Sequence, residues 1–176
     1  MEKNQIGRLT LPALMTAVTV MLSQISIPLT GGIPLTLQTF AMALCGYLLG
    51  KRGAVPVLVY LGLGLAGLPV FTGFGSGLGT LTGVTGGFLY GFVPLAWLCG
   101  VGAAKENRII PLGLGGLGVL VCHGLGLLQF AGVSGRSLAE SFWIAGFPFL
   151  LKDMISVFLA YVFTLGLKRR LKRIPL

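Results

Sequence analysis

Asp153 is the position with the sharpest chemistry in this chain. Only four of the 176 residues are acidic, and of these Asp153 alone lies deep inside an apolar run. A carboxylate in apolar surroundings is costly without a partner, so it marks a ligand site, a coupling site or a buried pair. Lys152 precedes it, but neighbours on a helix point about 100° apart, so adjacency alone does not pair them. Gln38 offers an amide donor and acceptor, and His123 two ring nitrogens. At roughly 1.5 Å per helical residue, Gln24, Gln38, Thr85, Tyr90, His123 and Gln129 fall in the same half of their spans, with Lys152 and Asp153 near mid-depth. The opposite halves of the second, fourth and fifth spans hold almost no strong polar group. Polar groups gathered on one side predict a solute-capture cavity rather than a through-pore. Tyr90 and Trp143 fit interfacial or packing aromatics equally well.

The elements that must position these groups flank a glycine-rich stretch, Phe71 to Phe92. It carries no charge and combines glycines with the hydroxyls of Thr80, Thr82 and Thr85. Glycine permits turns and close approach, so Phe71 to Val84 reads as a flexible binding or gating loop. Thr85 to Phe92 reads as the start of a helix. Gly75, Gly79, Gly83, Gly87 and Gly91 recur every four residues, and the last two suit a smooth face for close helix packing.

Composition sets the class. The chain is 55% hydrophobic and 10% charged, against about 25% charged in soluble domains. The expected fold class is an all-α membrane protein, with residues 1–176 forming one six-helix domain. The expected spans are Leu9 to Ile27, Pro34 to Gly50, Ala54 to Pro69, Thr85 to Ala103, Ile109 to Ala131 and Ser141 to Leu167. Pro28 and the Thr30-Gly31-Gly32 turn close the first, and Gly132 to Glu140 is a polar turn. The first run is read as a retained helix rather than a cleaved signal. Net charge is +9, but eleven of the thirteen basic residues sit at the N-terminus, the 51–52 turn, the 105–108 turn and the basic tail 168–176. That asymmetry predicts both termini on the cytoplasmic side, and the 71–84 loop outside. It predicts contact with lipid head groups, not with nucleic acid.

Several function classes are excluded. No G-x-x-x-x-G-K-[ST] motif is present, so no P-loop ATPase site is expected. No Cys/His cluster has metal-site spacing. Cys45, Cys99 and Cys122 fall in apolar runs without CxxC spacing and read as reduced packing residues. Ser134 with His123 does not suit an intramembrane protease, because Ser134 lies in a turn. There is no evident internal repeat. A transport subunit, or a structural membrane protein whose polar groups bind one another and water, both fit these residues.

Four motifs in order sharpen the choice: Pro34-Leu35-Thr36-Leu37-Gln38-Thr39-Phe40, Gly67-Leu68-Pro69-Val70-Phe71, Thr85-Gly86-Gly87-Phe88-Leu89-x-Gly91-Phe92, and Gly146-x-Pro148-Phe149 before Asp153. Together they resemble the BioY family, the biotin-binding S-components of energy-coupling-factor (ECF) transporters. The resemblance covers nearly the whole chain. It implies biotin as transported ligand, no covalently bound cofactor, a cell-membrane location, and partnership with a T-component and two ATPase subunits. Residue chemistry and the resemblance together give an expected substrate site of Gln38, Thr85, Gly86, Tyr90, His123, Lys152, Asp153 and Ser156. Ala13 and Ala17 match the family's small-residue pair for T-component docking. Biotin's ureido ring offers N–H donors and a carbonyl suited to Asp153 and Gln38. Its carboxylate suits backbone N–H groups of a glycine-rich segment. Two positions depart from the family: Ser156 stands where many members carry Lys, with Lys152 one turn away on the same face, and Val84 stands where Pro is usual. An S-component for another vitamin is the alternative within this reading.

Overall fold

Apolar runs punctuated by proline and by charged turns set the elements of the computed structural model, which describes residues 2–28 and 33–171. Helix α1 spans Glu2–Gln24 with Pro12 inside it, beginning earlier than Leu9. The chain then leaves the helix. Ser26–Ile27 (β1) pairs antiparallel with Leu35–Thr36 (β2), Ser26 opposite Thr36. This short ribbon moves the start of the second helix from the expected Pro34 to Gln38. Pro34 holds its predecessor extended, and a β-branched Thr follows. The Thr30-Gly31-Gly32 turn, the side chains of Lys3 and Arg8, and the tail beyond Leu171 lie outside the described residues.

Helix α2 (Gln38–Leu49) continues through a 3₁₀ turn, Gly50–Gly53, into α3 (Ala54–Leu65). The turn carries Lys51 and Arg52. The 71–84 segment is not featureless: a 3₁₀ turn at Thr72–Phe74 and a short helix α4 (Gly77–Thr82) occupy it. Helix α5 is Gly86–Ala103 and α6 is Ile109–Ser134. Helix α6 runs past Ala131 and ends on Gly135, whose φ of +68° terminates it in the left-handed conformation. The polar turn after it is shorter than expected. Ser137 and Glu140 form a reciprocal capping box that starts α7 at Leu138–Ser141. A π-helical turn, Phe142–Gly146, joins α7 to α8 (Phe147–Leu171).

Among the described residues, four segments are long and apolar enough to cross a membrane: Gln38–Leu65, Gly86–Ala103, Ile109–Ser134 and Leu138–Arg170. Leu9–Gln24 is a shorter apolar helix. Leu9, Leu117, Leu128, Phe158 and Phe163 point outward, while Tyr47, Tyr60, Leu95 and Val119 are fully buried. In lipid the outward leucines lose nothing by exposure, so helix association rests on close packing and interhelical hydrogen bonds. The Tyr47 hydroxyl donating to the Pro111 carbonyl at 2.9 Å ties α2 to α6 in this way. The three cysteines are free and buried.

Candidate binding site

The approach of α5 to α6 begins the site. A Cβ at Gly87 would lie 2.3 Å from the Leu125 carbonyl oxygen, and one at Gly91 2.6 Å from the Cys122 Cα. Only glycine lets the backbones meet so closely, which is the packing role their spacing predicts. Phe88 is seated because Gly126 leaves room: a Cβ there would fall 2.4 Å from the ring. Phe88 in turn meets the His123 ring edge to face, centroids 5.5 Å apart.

His123 Nε2 lies 2.9 Å from Asp153 Oδ2 on α8. Lys152 Nζ pairs with the other oxygen, Asp153 Oδ1. The lysine also donates to the Thr36 carbonyl at 3.0 Å, linking α8 to the ribbon. The carboxylate is 6% exposed and His123 4%, so the charge is held where burial demands partners. Beside it, at the start of α2, the Gln38 amide is fixed at both ends. Its Nε2 donates to Tyr60 Oη at 2.8 Å, and its Oε1 accepts from Thr36 Oγ1 at 3.2 Å.

A cavity of about 230 Å³ opens against these groups, a size for one compact molecule. Gln38, Thr85, Lys152 and Asp153 line it, as do Thr36 and Thr39. The 71–85 segment supplies Phe71, Thr72, Thr80 and Val84, and Phe88, Phe92 and Phe149 complete an aromatic wall. The loop is anchored rather than loose. Gln129 Nε2 donates to the Leu81 and Gly83 carbonyls, both at 2.8 Å. Gln24 Nε2 donates to the Val70 and Phe71 carbonyls at 3.0 and 3.1 Å, and its Oε1 accepts from Phe74 N. Both glutamines belong to the polar set read from the sequence, and here they hold the loop.

The other expected site residues lie elsewhere. Gly86 is buried beneath the loop, where a Cβ would collide with the Leu81 carbonyl. Tyr90 is 45% exposed on the far face of α5. His123 stands behind Asp153, and Ser156 is buried one turn beyond it, outside the lining. Ala13 and Ala17 are exposed on α1, while Thr16 and Thr19 are buried. Sequence reasoning passed over Thr36, Thr39, Thr72 and the Phe88–Phe92–Phe149 wall. All but Thr72 sit inside the four quoted motifs, which carried that signal. Among the described residues no group of His, Cys, Asp and Glu is arranged to hold a metal ion.

Comparison with known proteins now bears on this arrangement. The BioY family model matches residues 1–173. The chain belongs to the BioY family. A relative named biotin transporter BioY, from Thermotoga maritima, is 37% identical over 158 residues, 88% of this chain and 91% of that protein. Another of that name, from Rhodobacter capsulatus, is 36% identical over 172 residues, covering 89% and 88%. Among solved structures, the S-component for biotin from an ECF-type ABC transporter matches with a TM-score of 0.87 and 28% identity. That match covers 99% of this chain and 95% of the solved one. The BioY likeness thus extends over the ribbon, α2, the anchored loop, α5 and α8, the elements that line the cavity.

Proposed function

We propose that this chain captures biotin and serves in its uptake as the substrate-binding subunit of an ECF-type transporter. The observation that carries the reading is the cavity: one charged end at Lys152 and Asp153, and an otherwise neutral wall of hydroxyls and aromatic rings. The family and the solved biotin S-component give that cavity its ligand. A ureido ring presents two N–H donors and a carbonyl, which Asp153 and the free valences of Gln38 and Lys152 complement. The thiophane ring and valeryl chain suit Phe71, Phe88, Phe92 and Phe149. The carboxylate lies toward the hydroxyl-rich 71–85 loop.

In this reading the chain is a transport subunit rather than an enzyme. It sits in the cytoplasmic membrane as six helices, α2 and α3 counted separately and α7 with α8 as one, both termini inside. A T-component and two ATPases supply the energy, with Ala13 and Ala17 on the T-component face. The test is titration of the purified protein in detergent with biotin, beside Asp153→Asn. Binding at or below micromolar biotin, weakened at least tenfold in the variant, is expected. No binding by the wild-type chain would sink the reading, and intact affinity in Asp153→Asn would remove that residue from the site.

A further inference from the structure

His123 does not line the cavity, yet through a buried contact of 2.9 Å it holds the group that defines the cavity's charged end. We infer that His123 is the positioning residue of the site: it donates from Nε2–H to Asp153 Oδ2 and sets how the carboxylate faces the ligand. This rests on the biotin reading above.

Three observations carry it. First, His123 Nδ1 is buried with no hydrogen-bond partner among the described residues. With the proton on Nε2, the Asp153 bond is satisfied and Nδ1 is a bare lone pair, a cheaper orphan than an unpaired N–H. The opposite tautomer would leave a buried N–H unpaired and set a lone pair against a carboxylate. Second, the ring has little freedom. Phe88 covers it edge to face at 5.5 Å, and the close packing at Gly87, Gly91 and Gly126 holds Phe88 and α6 in place. Third, Lys152 alone cannot fix the carboxylate. It shares its ammonium with the Thr36 carbonyl and reaches the site on a flexible stem. A planar donor held from behind constrains one oxygen of a carboxylate that lines the cavity. Asp153 touches ligand; His123 acts through it.

The chain has one histidine, so ¹⁵N-histidine labelling of protein carrying a histidine-free affinity tag reports a single ring. The expected spectrum has Nε2 protonated and Nδ1 bare, with the Nε2 resonance moved by Asp153→Asn. Biotin titration of His123→Leu should weaken binding about tenfold or more. His123→Gln, which keeps a terminal N–H, should recover most of that loss while melting at the same temperature as His123→Leu. A proton on Nδ1, or equal affinity losses in the Leu and Gln variants, would overturn the assignment. A wild-type chain that binds no biotin sinks the functional reading and this inference together. A chain that binds biotin but fails the rescue sinks only the inference.

Discussion

The ammonium of Lys152 turns back across its own helix to the Asp153 carboxylate, and at 3.0 Å it also meets the Thr36 carbonyl of the β-ribbon. Helical phase alone did not require the pair. The lysine's four-carbon stem spans the angle between neighbours, and burial of Asp153 favours it. One residue therefore has two tasks: compensating the site's negative charge and tying α8 to the strand that borders the cavity.

Replacing Lys152 by Met should damage both. Breaking a buried ion pair from one side costs about 3–5 kcal/mol, and the lower end applies because Lys152 is partly open to the cavity. The variant should melt at lower temperature and bind biotin at least tenfold more weakly, by thermal unfolding and calorimetry. Lys152→Arg should keep the charge but recover only part of the affinity, since a planar guanidinium cannot reproduce the same two contacts. Affinity unchanged in Lys152→Met would separate the pair from ligand capture.

Thr72 makes the opposite prediction for stability. Its Oγ1 is buried in the cavity lining without a hydrogen-bond partner among the described residues. A buried unsatisfied hydroxyl is destabilising until a ligand meets it. Thr72→Val should leave the ligand-free melting temperature equal or higher, yet weaken biotin binding about three- to tenfold. A stability loss without an affinity loss would show that the hydroxyl serves the protein alone.

How much of this was legible in the sequence depended on what bounded each element. Helix α5 and the start of α6 were readable almost to the residue, because a charged turn at 105–108 separates two long apolar runs. The ends near the cavity were not. Pro34 to Leu37 is as apolar as a helix start but is diverted into a ribbon, and a π-helical turn inside the last run leaves no mark in hydropathy. Within the polar set, the end of the bundle that each residue occupies was legible and helical phase was less so. Tyr90 lies at the right height on the wrong face of α5, while Phe88, Leu89 and Phe92 point inward. Gln24 and Gln129 were found as polar residues near the site, but nothing in one chain distinguishes an amide that meets ligand from one that meets loop carbonyls.

The glycine contacts give a paired test of packing. Gly87→Ala places a methyl 2.3 Å from the Leu125 carbonyl, so α5 and α6 must separate. Gly124→Ala, on the same α6, meets nothing within 4 Å, and alanine favours the helix by roughly 0.8–1 kcal/mol over glycine. The first should lower the melting temperature and the biotin affinity together; the second should leave affinity alone and stability equal or higher. Equal behaviour of the two would refute close approach as the reason for glycine at 87.

Gln129 tests the anchored loop. Its two bonds to Leu81 and Gly83 hold the segment that carries Thr80, Val84 and Thr85 against the cavity. Gln129→Leu should remove both and strand the carbonyls. Hydrogen exchange at residues 77–85 should quicken, and biotin should dissociate several times faster. The global melting temperature should change little, because the loop is a local opening unit. Exchange no faster than in the wild type would mean the loop is held by its other contacts, the Gln24 bonds at Val70, Phe71 and Phe74 and the Phe71 ring against Tyr60 at 5.3 Å.

The proposed orientation is open to a direct measurement that the buried cysteines make simple. Because Cys45, Cys99 and Cys122 are free and buried, the wild-type chain should give little background with a membrane-impermeant maleimide. Ser134 and Glu106 are exposed and lie just beyond opposite ends of the 109–131 stretch. With both termini inside, Ser134→Cys should label in intact cells, and Glu106→Cys only after the membrane is opened. The reverse pattern would turn the cavity toward the cytoplasm. Labelling of both from outside would require that the Gly86–Ala103 and Ile109–Ser134 helices do not each cross, which their length and apolarity argue against. The same experiment repeated with biotin present should slow labelling of a Leu78→Cys variant on α4, where Leu78 is exposed; unchanged labelling would mean the loop does not tighten over its ligand.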